Sequence, residues 1–231
     1  MFPLKDDNPS ASAPLVTVAL IVLNALVFVY QISLEVGGAE GARAAQAFVV
    51  EFGLVPCRLT GACRVGSEVP APILTIFTSM FMHGGLFHIG GNMLYLWIFG
   101  NNVEDTLGHG RYLLFYLLSG IAAALAQTVV GPSSTVPMIG ASGAISGVLG
   151  AYLVLFPGAH VTTLIILGFF FRLVQIPAVV VLGFWIVVQV LTGLGSFGAS
   201  GGVAFFAHIG GFLAGMALLF VLRPRPRGRA A

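Results

Sequence analysis

Gly140-Ala-Ser142-Gly-Ala-Ile-Ser-Gly147-Val-Leu-Gly150-Ala-Tyr-Leu-Val-Leu-Phe156 is the stretch that decides the fold. It has no charge and no proline, and its apolar residues run on without the alternation of a half-buried strand. Similar runs recur on both sides of it. Of the 231 residues 58% are hydrophobic and 8% charged, and the mean hydropathy is +1.01. A soluble domain carries roughly 25% charged residues, so lipid is the solvent for most of this chain. Only helices and closed barrels span a bilayer. Long continuous runs favour helices over the short alternating strands of a barrel.

Working outward, six apolar segments stand at 14–34, 86–103, 112–130, 142–156, 177–194 and 203–222. The expected fold is all-α: a polytopic bundle of six transmembrane helices over 14–222. A short N-terminus, 1–13, precedes it and a basic tail, 223–231, follows. Lys5, Asp6, Asp7 and two prolines near the start do not form a cleavable signal peptide. A large loop, 35–85, separates the first two spans. Residues 131–141 carry turn chemistry without a charge. Residues 157–176, broken by His160 and Arg172, are expected to be an interfacial connector.

Basic residues set the orientation. With the N-terminus inside, Lys5, Arg111, Arg172, Arg223, Arg225, Arg227 and Arg229 all fall inside. Arg43, Arg58 and Arg64 then lie outside, in the large loop. Both termini are therefore expected on the cytoplasmic side. The second, fourth and sixth spans then begin on the outer side, bringing His88 with Asn92, Ser142 and His208 to a similar depth.

The fourth segment has 15 residues, about 22 Å of helix against a hydrocarbon thickness of about 30 Å. Ser142 is therefore expected below the membrane surface, where irregular backbone is tolerated only beside a cavity. A helix N-terminus offers free N–H groups and a positive dipole end, as a serine nucleophile and its oxyanion require. Taken alone, such a serine is more often a helix cap. His208 is the candidate base. Gly143, Gly147 and Gly150 on one helix and Gly211 and Gly215 on the other permit close approach. His208 shares its helix face with those two glycines. His88 and Asn92 lie one turn apart and supply N–H donors for an oxyanion. With no Asp or Glu in the outer halves of the spans, the system is a Ser–His dyad whose imidazole is held by packing or another hydrogen bond.

These residues resemble a known family. The run Phe77-Thr-Ser-Met-Phe-Met-His83-Gly-Gly-Leu-Phe-His88-Ile-Gly-Gly-Asn92 continues to Gly108 through Glu104-Asp-Thr-Leu. With Gly140-Ala-Ser142-Gly-Ala-Ile-Ser-Gly147 and Ala207-His208-Ile-Gly-Gly-Phe-Leu-Ala-Gly215, it is similar to bacterial rhomboid intramembrane serine proteases. The resemblance implies a six-helix core, cleavage of transmembrane substrates, a bacterial inner membrane and no metal or cofactor. It puts the nucleophile on Ser142, the base on His208 and oxyanion stabilisation on His88 and Asn92. Ile73-Leu74 stands near the place where members often show a Trp-Arg pair.

Other features have plainer readings. Ser146 suits helix packing, and His83 the loop or cavity mouth. His109 and His160 suit the inner interface, and Glu104 and Asp105 bonding to backbone near the second connection. Cys57 and Cys63 either pair in an oxidising compartment or are free thiols. The arginine tail suits anionic lipid better than nucleic acid. Three functions compete with the protease: an inactive relative that escorts membrane helices, a b-type cytochrome ligated by His88 and His208, and a transporter. A transporter would show repeated halves and a midplane site.

Overall fold

The computed structural model describes residues 2–63, 70–168, 170–195 and 204–224. The chain opens with a strand, β1 (Phe2–Asp6), before the first long helix, α1 (Leu15–Glu35). Three shorter helices, α2 (Ala39–Phe52), α3 (Pro56–Leu59) and α4 (Thr75–Thr78), lie in the large loop. Then come α5 (Leu86–Leu107), α6 (His109–Val130) and α7 (Ser142–Leu155). A hairpin, β2 (His160–Leu167) and β3 (Phe170–Pro177), leads to α8 (Ala178–Gly195) and α9 (Phe205–Leu222). A helix occupies each of the six apolar segments, with described ends within a few residues of the expected bounds. The start of the sixth at Val203, most of the connection before it, Arg64 and the tail from Arg225 lie outside the described residues.

Helices α1, α6, α8 and α9 are 18 to 22 residues long and apolar enough to cross a membrane. Residues 72–81 meet α5 at an 82° bend and pass the same test with it as one broken span. Helix α7 is shorter, at 14 residues, about 21 Å. Every residue from Ala144 to Tyr152 on α7 is buried, which marks it as the central helix. By contrast Leu26 and Val29 of α1, Leu191 of α8 and Phe220 and Val221 of α9 are exposed. Such an apolar outer surface belongs in lipid, and the molecule is an integral membrane protein.

Glycines set the distance between α7 and α9. A Cβ on Gly211 would collide with the Gly143 carbonyl, and one on Gly215 with the backbone of Gly147. The two helices touch backbone to backbone, as the small-residue spacing predicts.

Residues 131–141 are stitched to the large loop. The Leu54 and Met138 main chains exchange hydrogen bonds of 3.0 and 2.7 Å, and the Cys57 N–H donates to the Ser134 carbonyl at 3.0 Å. Cys57 and Cys63 form a disulfide, so the pairing left open by the sequence is resolved. Buried Arg58 donates to the carbonyls of Val50 and Glu51 at 3.0 and 3.3 Å.

At the far end of the bundle, Glu104 accepts from the N–H groups of Val16 and Thr17, both at 2.8 Å, and from the Thr17 hydroxyl at 2.7 Å. Asp105 accepts from the N–H groups of Ala11 and Ser12 at 3.0 and 2.9 Å. Both carboxylates do bond backbone, but in the first turn of α1 and the residues just before it rather than near their own connection. Pro14 at the N-cap has no side-chain donor or acceptor for that turn, so α5 supplies the cap. His109 reaches Glu104 at 2.6 Å.

The 157–176 connector is a hairpin, not a seventh helix. It joins β1 in an antiparallel three-stranded sheet of order β1-β2-β3. Phe2 pairs with Leu164 and Asp6 with Val161. This sheet is an addition to the expected helices. Its register joins residues far apart in sequence, which local periodicity does not reveal.

Candidate active site

Three helices, α5, α7 and α9, bring His88, Asn92, Ser142 and His208 to one cavity. Ser142 is the first residue of α7, and His208 lies one turn into α9. With the helices in backbone contact, the His208 Nε2 is 2.8 Å from the Ser142 Oγ. The ring is buried, and Ser142 is half-buried.

The other ring nitrogen, Nδ1, lies 2.7 Å from the Oε1 of Gln189 on α8. Trp185, one turn earlier on the same helix, sits against the ring with centroids 5.8 Å apart and planes tilted by 39°. Both means of holding the imidazole that the sequence leaves open, packing and a hydrogen bond, are therefore present.

His88 and Asn92 approach from α5. Gly140, at φ +125°, lies so close that a Cβ on it would stand 2.8 Å from the His88 Nε2 and 3.6 Å from the Ser142 Oγ. This positive φ is one that other residues rarely adopt, so glycine here lets the chain pass between imidazole and hydroxyl. The Gly140 N–H donates to the Ser79 carbonyl at 2.9 Å, tying this turn to the bent segment before α5. The Asn92 Nδ2 is 2.9 Å from the His83 Nε2. His83 is buried and gripped by Gln31 of α1, which accepts from its N–H at 2.9 Å and donates to its carbonyl at 3.2 Å. His83 thus serves the Asn92 amide as well as the loop. Ser146 is buried and donates to the Ser142 carbonyl at 2.6 Å, a packing position as expected.

The cavity they share measures about 1040 Å³, and His88, Asn92, Gly140, Ser142 and His208 are among its walls. At a helix start the first N–H groups have no partner within the helix, so the cavity floor beside Ser142 offers donors as well as a hydroxyl. All four site residues expected from the sequence meet here. Gln189, Trp185 and the Gln31–His83 grip are not among those expectations. A single amide inside the apolar run 177–194 is the available signal, since Gln in a span commonly bonds across helices.

Fold and site together define a polytopic helical membrane protein with a hydroxyl–imidazole pair in an internal cavity. The chain belongs to the rhomboid family: the Rhomboid domain matches residues 70–225. Among curated relatives, it is 45% identical over 78 residues to "Rhomboid protease GluP" of Bacillus subtilis, covering 34% of this chain and 15% of that protein. It is 38% identical over 97 residues to "Rhomboid protein 1, mitochondrial" of Saccharomyces cerevisiae, covering 38% and 27%. With "RHOMBOID-like protein 1" of Arabidopsis thaliana the identity is 31% over 152 residues, covering 66% and 35%. The matched regions thus span between 15% and 35% of these relatives.

Proposed function

We propose that this protein is an intramembrane serine endopeptidase that cleaves transmembrane segments of other membrane proteins. The observation that carries the reading is the 2.8 Å contact between the Ser142 Oγ and the His208 Nε2 at the start of a short, buried helix. The name of the Bacillus subtilis relative, a rhomboid protease, supports it.

In this mechanism Ser142 attacks a substrate carbonyl while the His208 Nε2 takes the hydroxyl proton. Negative charge then develops on the carbonyl oxygen. The Ser142 N–H, Asn92 and His88 receive it, each donor of this kind contributing about 2.7–4 kcal/mol to the transition state. His208 returns the proton to the leaving amine. Water then attacks the acyl-enzyme with His208 again as base. A helical substrate must unwind first, because its scissile carbonyl is otherwise bonded within the helix. Substrates therefore carry small or helix-breaking residues near the cut.

The domain division proposed with this is a cytoplasmic N-terminus 1–13, a membrane domain 14–222 and a basic tail 223–231. Both termini face the cytoplasm and the cavity opens to the outer side, as the placing of Lys and Arg supports. By the family resemblance the membrane is a bacterial inner membrane.

Detergent-solubilised protein incubated with a transmembrane substrate bearing a helix-breaking residue tests the proposal. The wild type cuts it, whereas Ser142→Ala and His208→Ala leave it intact. Equal cleavage by the wild type and Ser142→Ala would remove Ser142 from the mechanism.

A further inference from the structure

Gln189 is the one amide in α8 and one of its five buried residues, with Ala178, Val181, Leu182 and Gly193. Burying a polar side chain within a span is costly unless it is hydrogen-bonded. Its Oε1 lies 2.7 Å from the His208 Nδ1, while the Nε2 of the same ring meets Ser142 at 2.8 Å. The imidazole is thus held at both nitrogens.

A neutral imidazole donates from one nitrogen and accepts at the other. For Nε2 to take the serine proton, Nδ1 must carry hydrogen, and the partner of Nδ1 decides which form prevails. We infer that Gln189 is a positioning residue that completes the dyad, accepting the Nδ1–H of His208 so that Nε2 faces Ser142 as the free base. This rests on the serine-protease reading above.

Two further features of the site favour this role. Trp185 and Gln189 are four residues apart and share a helix face, so one element supplies the plane against which the ring lies and the acceptor at its edge. The chemistry suits the setting as well. A carboxylate buried beside a neutral imidazole carries a large desolvation penalty. An amide orients the ring without that penalty, as the asparagine of Cys-His-Asn proteases does. When His208 gains its proton, the Nδ1–H still points at an oxygen and the charge is met by a dipole. The base sits on α9 and its acceptor on α8, so the site is complete only while these two helices are packed together.

Two substitutions in the full-length protein test this, with rates expressed per mole of monodisperse enzyme. Gln189→Met keeps the length and removes the acceptor. Cleavage kcat should fall about 10- to 100-fold, part of the 10²–10⁴ that a positioned base contributes, with KM unchanged. The rate of fluorophosphonate labelling should fall by the same factor. Gln189→Glu keeps an oxygen for the Nδ1–H and, where ionised, can only accept, so it should restore most of the rate. It should also shift the acid limb of the kcat profile to higher pH, because a neighbouring anion favours imidazolium. Around His208, α5 brings His88 as the other titratable group of the cavity. Ser142 from α7, Gln127 from α6, which bonds the Ala207 N–H, and Trp185 from α8 do not ionise. His88 is present in every variant, so the limb that moves belongs to His208 and the carboxylate introduced beside it.

Wild-type kcat and labelling in Gln189→Met would overturn the inference while leaving the protease reading intact. So would a Gln189→Glu enzyme as slow as Gln189→Met with an unshifted profile, which would make the amide mere interhelical packing. A wild type that neither cleaves nor labels would overturn the protease reading, and this inference with it.

Discussion

Ser142, His208, His88 and Asn92 are legible in the sequence because polar side chains inside apolar spans are costly and therefore informative. What each one bonds is less legible, since partner choice depends on how far every helix is rotated about its axis. Asn92 pairs with His83, and His208 with Gln189, and neither pairing follows from spacing along one helix. Glu104 shows the same limit: its polarity is plain, yet its backbone partners are 87 and 88 residues away. It is fully buried, and it satisfies two N–H groups and one hydroxyl at the first turn of α1. Glu104→Ala strips all three of their acceptor, and leaving such donors unpaired costs about 1–3 kcal/mol each before relaxation. A thermal melt in detergent should therefore show a clear drop in midpoint, about 2 kcal/mol or more. Position 104 is 16 residues from His88 along α5, about 24 Å, so cleavage per folded molecule should stay at the wild-type level. An unchanged midpoint would mean that the α1 start is capped by other groups.

At the scale of elements, the six apolar runs and the glycine spacing already define the helices and the α7–α9 seam. Continuous hydrophobicity and small residues at i, i+4 report burial and close approach directly. The hairpin is harder to see. His160 to Leu167 and Phe170 to Pro177 are apolar enough to look like interface, and their strand character emerges only on pairing with each other and with β1. The seam supports a sharp comparison. A Cβ at Gly215 would collide with Gly147 backbone, whereas one at Gly183 on α8 meets nothing within 4 Å. Gly215→Val should force α9 off α7, part Ser142 from His208 and abolish cleavage together with a large loss of stability. Gly183→Ala should leave both intact or raise stability by up to about 1 kcal/mol through helix propensity. Active, stable Gly215→Val would show that the two backbones do not touch.

Across the whole molecule, the chain builds the Ser142–His208 cavity at one end and a small sheet at the other, with the buried α7 between them. The large loop, the disulfide and residues 131–141 form the surroundings of the cavity, while β1 joins the sheet to the helices. The Tyr152 hydroxyl of α7 donates to the Asp6 carboxylate at 2.6 Å. Burial raises the Asp6 pKa above its ordinary 3.8, although the bond from Tyr152 opposes the rise. A raised folded-state pKa means that the stabilising protonated form is fully present below the unfolded value and is lost as pH climbs through the folded one. Asp6→Asn, neutral at every pH, should therefore be at least as stable as the wild type at pH 7. Its advantage should shrink as pH falls toward 3.8, which melts at a series of pH values would follow. An advantage that grows on acidification would contradict the burial argument. In the proposed reaction one hydroxyl, activated by one imidazole, does the chemistry. Its most direct test is a fluorophosphonate reaction on the full-length protein, followed by peptide mass spectrometry. A single adduct should form on Ser142 in the wild type and none in His208→Ala. An adduct on another serine, or equal labelling of Ser142 without His208, would contradict it.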